Sequence, residues 1–211
     1  MKKLTLVIVL LATVGLGCKF IQDLAPGGGG GGASGDPKAD VIEASRKFLA
    51  LKSFSARMEG TGQNEIKSQV DYAEPDRFHV KYLAETGAGM ELIMIGNQTY
   101  MKTGGSWSKM PSNNGNSPIP TLRDSFTEEG LKTLSDVKFE GNETIDGKAA
   151  LIYSYENVTP AGNYPFSSKI WIGKDSGVPM KIVVDYPSGP LKQMTVNYDT
   201  ETPVTVEPPI K

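Results

Sequence analysis

The sequence predicts an α+β fold of about eleven short antiparallel strands, with one opening helix and a short, broken helical segment in the middle. Three observations predict it. From Phe54 onward apolar and polar residues alternate with period two, in short runs separated by Gly, Asn, Asp and Pro. Ahead of Ser53 the apolar residues recur at helical spacing instead. Between Thr121 and Leu134 the alternation lapses and then resumes. A single antiparallel sheet has one apolar face to cover, and these two helical segments are the elements that can cover it.

The elements follow in order. Asp36 can cap a helix with Pro37 at its first position. Val41, Ile42, Ala44, Phe48, Leu49 and Leu51 form its apolar face, with Lys38, Glu43, Arg46 and Lys47 opposite. Phe54, Ala56 and Met58 then alternate with Ser55, Arg57 and Glu59, and Val70 and Tyr72 continue the pattern. Phe78, Val80 and Tyr82 alternate with Arg77, His79 and Lys81. MELIMIG, 90–96, is apolar on both faces. Gly96-Asn97 makes a tight hairpin turn into TYMKT, and Gly104-Gly105 leads to SWSKMP. PSNNGNSPIP, 111–120, reads as a loop. Thr127-Glu128-Glu129 ahead of Leu131 and Leu134 reads as a capped helical turn that Gly130 weakens. Strands resume with VKFEGNETI, a turn at Asp146-Gly147 and KAALIYSYE. SSKIWIG, a turn through Asp175-Ser176-Gly177, VPMKIVVDY and LKQMTVNYD complete the set.

Composition excludes several functions. His79 is the only histidine, on a strand face that reads as solvent, and no G-x-S-x-G elbow accompanies it. Zinc needs several His or Cys ligands, and the folded part offers one. The glycines 27–32 follow no strand, so they are no dinucleotide loop. The reading is therefore no enzyme, no catalytic or metal residues and no cofactor. No basic patch stands out, so nucleic acid is not an expected partner. The seven methionines beyond Met1 lie in or beside strands. Methionine is common at adaptable apolar binding surfaces, but these residues serve equally well as ordinary core filling.

The single cysteine, Cys18, cannot form an intrachain disulfide. Upstream stand Lys2 and Lys3 and the almost wholly apolar stretch Leu4 to Leu16, the layout of an export signal. Crossing a bilayer takes roughly 17–25 residues, so this stretch is expected to be removed rather than to anchor. The pattern resembles a bacterial lipoprotein signal, in which the cysteine after the cut carries a lipid. Gly17 fits the position ahead of the cut, whereas Gly15 stands where such signals usually have Leu, Val or Ile. The alternative is cleavage elsewhere, with Cys18 incidental. PGGGGGGASGD, 26–36, is a flexible linker. The 18 or so residues from Cys18 to the folded part reach roughly 23 Å root-mean-square as a coil. Residues 1–17 thus read as a signal peptide, 18–37 as lipidated cysteine and linker, and 38–211 as one domain. Without Lys2 and Lys3 the balance is 20 Lys and Arg to 24 Asp and Glu, a net charge of −4.

EPDRFHV at 74–80, IGNQTYMKTGGSWSKMP at 95–111, KIWIGKDSGVPMKI at 169–182 and the opening helix followed by SFSARMEG carry a resemblance. The domain resembles the LolA-like superfamily of periplasmic lipoprotein and lipid carriers, with its LppX/LprG-like relatives. The resemblance implies an open half-barrel of about eleven antiparallel strands, closed by the N-terminal helix and a short broken central helical lid around an apolar cavity for acyl chains. The expected lining is Met58, Val70, Phe78, Val80, Leu92, Met94, Met180, Ile182, Val184, Met194 and Val196, with Phe126, Leu131 and Leu134 as the lid. Glu74 stands where the carrier proper has a basic residue that latches the lid. The expected function is a lipid-anchored protein that binds acyl chains of a lipid or lipoprotein for transport or transfer. Envelope-stress sensing, or a structural lipoprotein with a filled core, are the alternatives. The expected partners are the membrane, through lipidated Cys18, and acyl chains, with the protein a monomer. The expected place is the bacterial envelope, facing the periplasm or the cell surface, with Lys19 favouring the outer membrane.

Overall fold

A computed structural model of the chain describes residues 33–63, 65–84, 89–111, 123, 126–158 and 165–210. The export segment, Cys18, most of the linker, loop residues 112–120 and Leu122 lie outside the described residues.

Helix α1 spans Pro37–Leu49. The Asp36 carboxylate accepts the amides of Lys38 and Ala39 at 3.0 and 3.1 Å. Such a cap satisfies donors that the first turn leaves open and is worth about 1 kcal/mol. Val41, Ala44, Ser45 and Phe48 form the buried stripe.

Strands β1 (Ser53–Gly62), β2 (Ile66–Ala73), β3 (Arg77–Tyr82), β4 (Glu91–Ile95), β5 (Gln98–Thr103) and β6 (Ser106–Met110) step from the centre of one sheet to its edge. Helix α2, Glu128–Lys132, follows in the chain. Strand β7 (Ser135–Ile145) forms the opposite edge, and β8 (Lys148–Val158), β9 (Pro165–Gly173), β10 (Pro179–Asp185) and β11 (Leu191–Asp199) step back. There β11 pairs with β1, so the first and last strands lie side by side at the middle. Every neighbouring pair is antiparallel, and β6 and β7 stay unpaired with one another. The molecule is an α+β open half-barrel of eleven strands, the strand number that the alternation predicts and the architecture that the resemblance implies. Local turn chemistry sets the register: Asp146 and Gly147, with φ of 50° and 79°, supply the left-handed pair that a two-residue hairpin needs.

One face of the sheet, α1, α2 and Phe126 share a single core. Its centre is aromatic. Phe48 is completely buried, with ring centroids 4.8 Å from Phe54, 4.7 Å from Phe126 and 4.9 Å from Tyr198. Each such pair adds about 0.5–1.5 kcal/mol beyond its area burial.

The outer face corrects one expectation. His79 is half-buried, and its Nε2 lies 2.7 Å from Glu91 Oε2, while Lys102 donates to Glu91 Oε1 at 2.7 Å. The double-sided apolar character of β4 has the same origin. Ile93 packs in a satellite cluster with Tyr100 and Val206, because the C-terminal segment crosses this face. Arg77 ties that segment down by donating to the Val206 carbonyl at 2.9 Å.

Candidate functional site

The pairing register sorts the inner face into rows. Near the end where α1 hands over to β1 runs Phe54–Tyr72–Phe78–Met94–Thr99. Next comes Ala56–Val70–Val80–Leu92–Met101, with Tyr198 on the other flank of Ala56. The third row is Met58–Val196–Ile182–Ile170–Tyr153. The fourth is Ile66–Gly60–Met194–Val184–Ser168–Tyr155. Alternation along each strand produces these rows, because every second side chain points to one face.

Ten of the eleven expected lining residues fall in these rows. Met58, Val70, Val80, Leu92, Met94, Ile182 and Val196 are buried in the core cluster, and Phe78, Val184 and Met194 are half-buried against it. Met180 stands apart from the rows. The register shifts between Pro179 and Lys181, which makes Met180 the extra residue of a bulge, with its sulfur toward Gly173. Period-two reading across a bulge puts a residue in the wrong row, and nothing local in the sequence marks this one.

Phe126, Leu131 and Leu134 all belong to the core cluster. Thr127 caps α2 by accepting the Gly130 amide at 3.3 Å, and Gly130 is itself buried. Arg46 of α1 donates to Glu128 at 3.0 Å, and Lys38 donates to the Leu134 carbonyl at 2.8 Å. Arg123, which no pattern in the sequence singles out, holds the start of this segment. It donates to the carbonyl of Leu49, and its guanidinium lies 4.5 Å from the centre of the Tyr72 ring. Its Nε is buried without a hydrogen-bond partner. A cation ahead of α2 thus fastens this segment to α1 and β2, although Glu74 occupies the strand position where the family resemblance leads one to look for it.

The inner face carries few polar groups. Burial pushes the Tyr155 phenol up to about 12 and raises that of Tyr198 further. Ser168 faces Tyr155 across the β8–β9 pair, and its buried Oγ makes no hydrogen bond of good geometry. Tyr153 is raised by burial and by its hydrogen bond to Asp40, at 2.8 Å. Phenols this hard to ionise are neutral hydroxyls at any physiological pH, so the face can hold alkyl groups and offer neutral donors. Among the described residues no group of three or more His, Cys, Asp or Glu is placed to hold a metal ion.

The core reaches solvent at the end opposite the α1–β1 junction. Ile66 is 38% exposed there, and Leu191 is half-buried. A Cβ on Gly60 would sit 2.9 Å from Leu191 Cδ1 and 3.1 Å from Ile66 Cβ, so these side chains close over a position that only glycine leaves free. At the same end Pro165, Phe166, Tyr186, Pro187, Glu156, Asp185 and Lys192 line an open groove of about 320 Å³.

No protein-family model and no curated protein matches the sequence. Solved structures do match the fold. The lipoprotein LppX of Mycobacterium tuberculosis superposes with a TM-score of 0.62 at 17% identity, over 83% of this chain and 100% of that one. LprF of Mycobacterium bovis superposes with a TM-score of 0.62 at 15% identity, over 84% of this chain and 99% of that one. At such identities the likeness speaks for the fold, and it extends over the whole half-barrel. The chain therefore shares the half-barrel fold of LppX and LprF.

Proposed function

We propose that this protein is a lipid-anchored component of the bacterial cell envelope that shelters alkyl chains of a lipid or a lipoprotein against the inner face of its half-barrel, for transport or transfer. One observation carries the reading: the apolar rows run without a charged side chain from the aromatic cluster to exposed Ile66 at the opposite end. The driving force is transfer of methylene groups from water, about 0.8 kcal/mol per CH₂. The buried Ser168 hydroxyl beside neutral Tyr155 suits the ester or amide carbonyl of an acylated molecule. The half-barrel is shared with a mycobacterial lipoprotein, which agrees with the lipoprotein-type signal around Cys18 and with an envelope location. The reading requires no catalytic step.

Native mass spectrometry of the purified protein, with organic extraction of what co-purifies, tests it. The expected result is a bound lipid and, after delipidation, saturable binding of a fluorescent fatty acid. A chain that carries no lipid and takes up no fatty acid after delipidation has a filled core, and the structural-lipoprotein reading then replaces this one.

A further inference from the structure

The outer face of the sheet carries a row of side chains that the inner-face site does not use. From β10 to β3 the registers place Lys181, Asn197, Arg57, Gln69 and Lys81 side by side. They come from five strands, so no stretch of sequence displays them together. Arg57 and Asn197 are exposed, and the other three are half-buried. The order is cation, amide, cation, amide, cation, with no carboxylate, in a chain whose net charge is −2. Neighbouring strands lie about 4.8 Å apart, so successive cations of the row stand roughly 9.6 Å apart.

The surroundings leave these cations available. Beyond Lys181 the row ends on Trp171, and the Lys181 ammonium lies 4.7 Å from the centre of that ring, whose negative face holds it in place. Beyond Lys81 come Glu91 and Lys102, paired at 2.7 Å, and then Trp107, the chain's other tryptophan. Among the described residues Arg57 and Lys181 have no ion-pair partner. Lys81 stands 4.0 Å from Asp71, whose carboxylate already accepts Ser55 and Gln69 at 2.6 and 3.1 Å. On the same flank Asp199 is taken up by the amides of Glu201 and Thr202 at 3.0 and 3.1 Å. On the other flank Lys169 and Lys67 share a row with Glu59, so that row adds one further positive charge.

We propose that this row binds a linear acidic glycan that bears one carboxylate on every second sugar. It lies on the face opposite the alkyl-binding rows and does not rest on the carrier reading. Two strand-to-strand steps match the advance of a disaccharide along an extended glycan. Each cation of the row then meets one carboxylate, Arg57 with a planar fork that suits it. Asn197 and the carbonyl of Gln69 face the uncharged sugars between, where an amide can both donate to hydroxyls and accept from them. Other occupants fit less well. Duplex DNA carries a phosphate about every 3.4 Å along each strand, far denser than the cations of the row. A protein interface centres on buried aromatic or aliphatic anchors, and the row holds no exposed large hydrophobic residue.

Titration calorimetry on the purified full chain tests the proposal. The probes are a hyaluronate octasaccharide, with a carboxylate on alternate sugars, an oligogalacturonate of the same length, with one on every sugar, a neutral chitin oligosaccharide and a short DNA duplex. The expected result is saturable binding of hyaluronate that weakens with added salt, tighter than that of oligogalacturonate despite half the charge, and none of the neutral glycan. Arg57→Gln is expected to weaken hyaluronate binding by about tenfold or more, the scale of a hydrogen bond to a charged group. Lys174→Gln, which removes an exposed cation from the β9–β10 turn, is expected to leave the binding unchanged. Both substitutions are at exposed positions and should keep the parent's thermal midpoint. Absent hyaluronate binding, tighter binding of oligogalacturonate or DNA, or an equal loss in the two variants overturns the proposal. Lipid carriage is measured separately and is untouched by any of these outcomes.

Discussion

Phe48 meets Phe54, Phe126 and Tyr198 within 5 Å between ring centres, so one side chain joins α1, the segment ahead of α2 and both central strands. Phe48→Ala leaves a cavity that three rigid rings cannot close. The expected loss is about 3–5 kcal/mol, read as a lower midpoint in urea unfolding at unchanged slope. Gly62 is constrained by close approach, since a Cβ there would lie 2.1 Å from the Pro190 carbonyl oxygen. Gly62→Ala must push the β10–β11 turn away, at about 1–3 kcal/mol. On the outer face, the hydrogen bond from Lys102, then that from His79, hold the Glu91 carboxyl below its ordinary value of 4.5 against the opposing effect of burial. A depressed carboxylate stabilises the fold above its unfolded value, and that contribution is lost as pH falls through the folded value. Unfolding measured from neutrality down to about pH 3 should therefore show a loss below pH 4.5. Glu91→Gln should remove part of that loss, and a variant with the parent's acid profile would show that the trio adds nothing to stability.

At the scale of elements, α1 is specified locally by its Asp36 cap and its buried stripe, whereas α2 is five residues long and depends on its neighbours. Isolated helices this short do not persist in water, so packing must hold it. Its holders are Phe126 on the aromatic cluster, the Arg46–Glu128 pair at the surface and Arg123 on Tyr72 and Leu49. Phe126→Ala is expected to free this segment ahead of the sheet. Hydrogen exchange at the Leu131 and Thr133 amides should accelerate, while those of the β8–β9 pair keep their protection. Uniform acceleration across the sheet would show that the segment and the half-barrel open as one unit. Edge strand β7 carries two register shifts and mostly exposed residues, and Asp136 takes a φ of 50°. Bulges and charges of this kind keep an open edge from pairing with another chain.

At the scale of the whole molecule, the proposed anchor at Cys18 is open to direct test. Cys18→Ser is expected to move the protein from the membrane fraction to the soluble one, or to leave unprocessed precursor, without altering the fold of 38–211. Fractionation followed by mass spectrometry of the N-terminal peptide checks it, and a processed variant that stays with the membrane would exclude the thioether-linked lipid. Central pairing of β1 with β11 ties the start of the sheet to its end, so the two halves cannot separate without breaking that ladder. Val196 sits in this seam, buried against Met58 and Ile182.

The sequence by itself determined the local level of this protein. Asp36-Pro37, Asp146-Gly147, Gly96-Asn97 and period-two alternation act between residues close along the chain, and from them follow the opening helix, the hairpins and the number of strands. Alternation also placed ten of the eleven residues expected to line the site on one face, because pleating obliges every second side chain to share a side. Tertiary structure alone decided what covers each face. His79 reads as solvent-facing until Glu91 and Lys102 are brought beside it from two further strands. Ile93 has no visible reason to be apolar until Val206 arrives across the outer face. Met180 leaves the rows because a bulge changes the count opposite β9, and Arg123 finds Tyr72 some fifty residues away in the chain. Such contacts depend on which strands adjoin and which segment crosses which face. Those choices are fixed by the burial of the whole core and by long-range pairing, for which no window of sequence carries a separate signal.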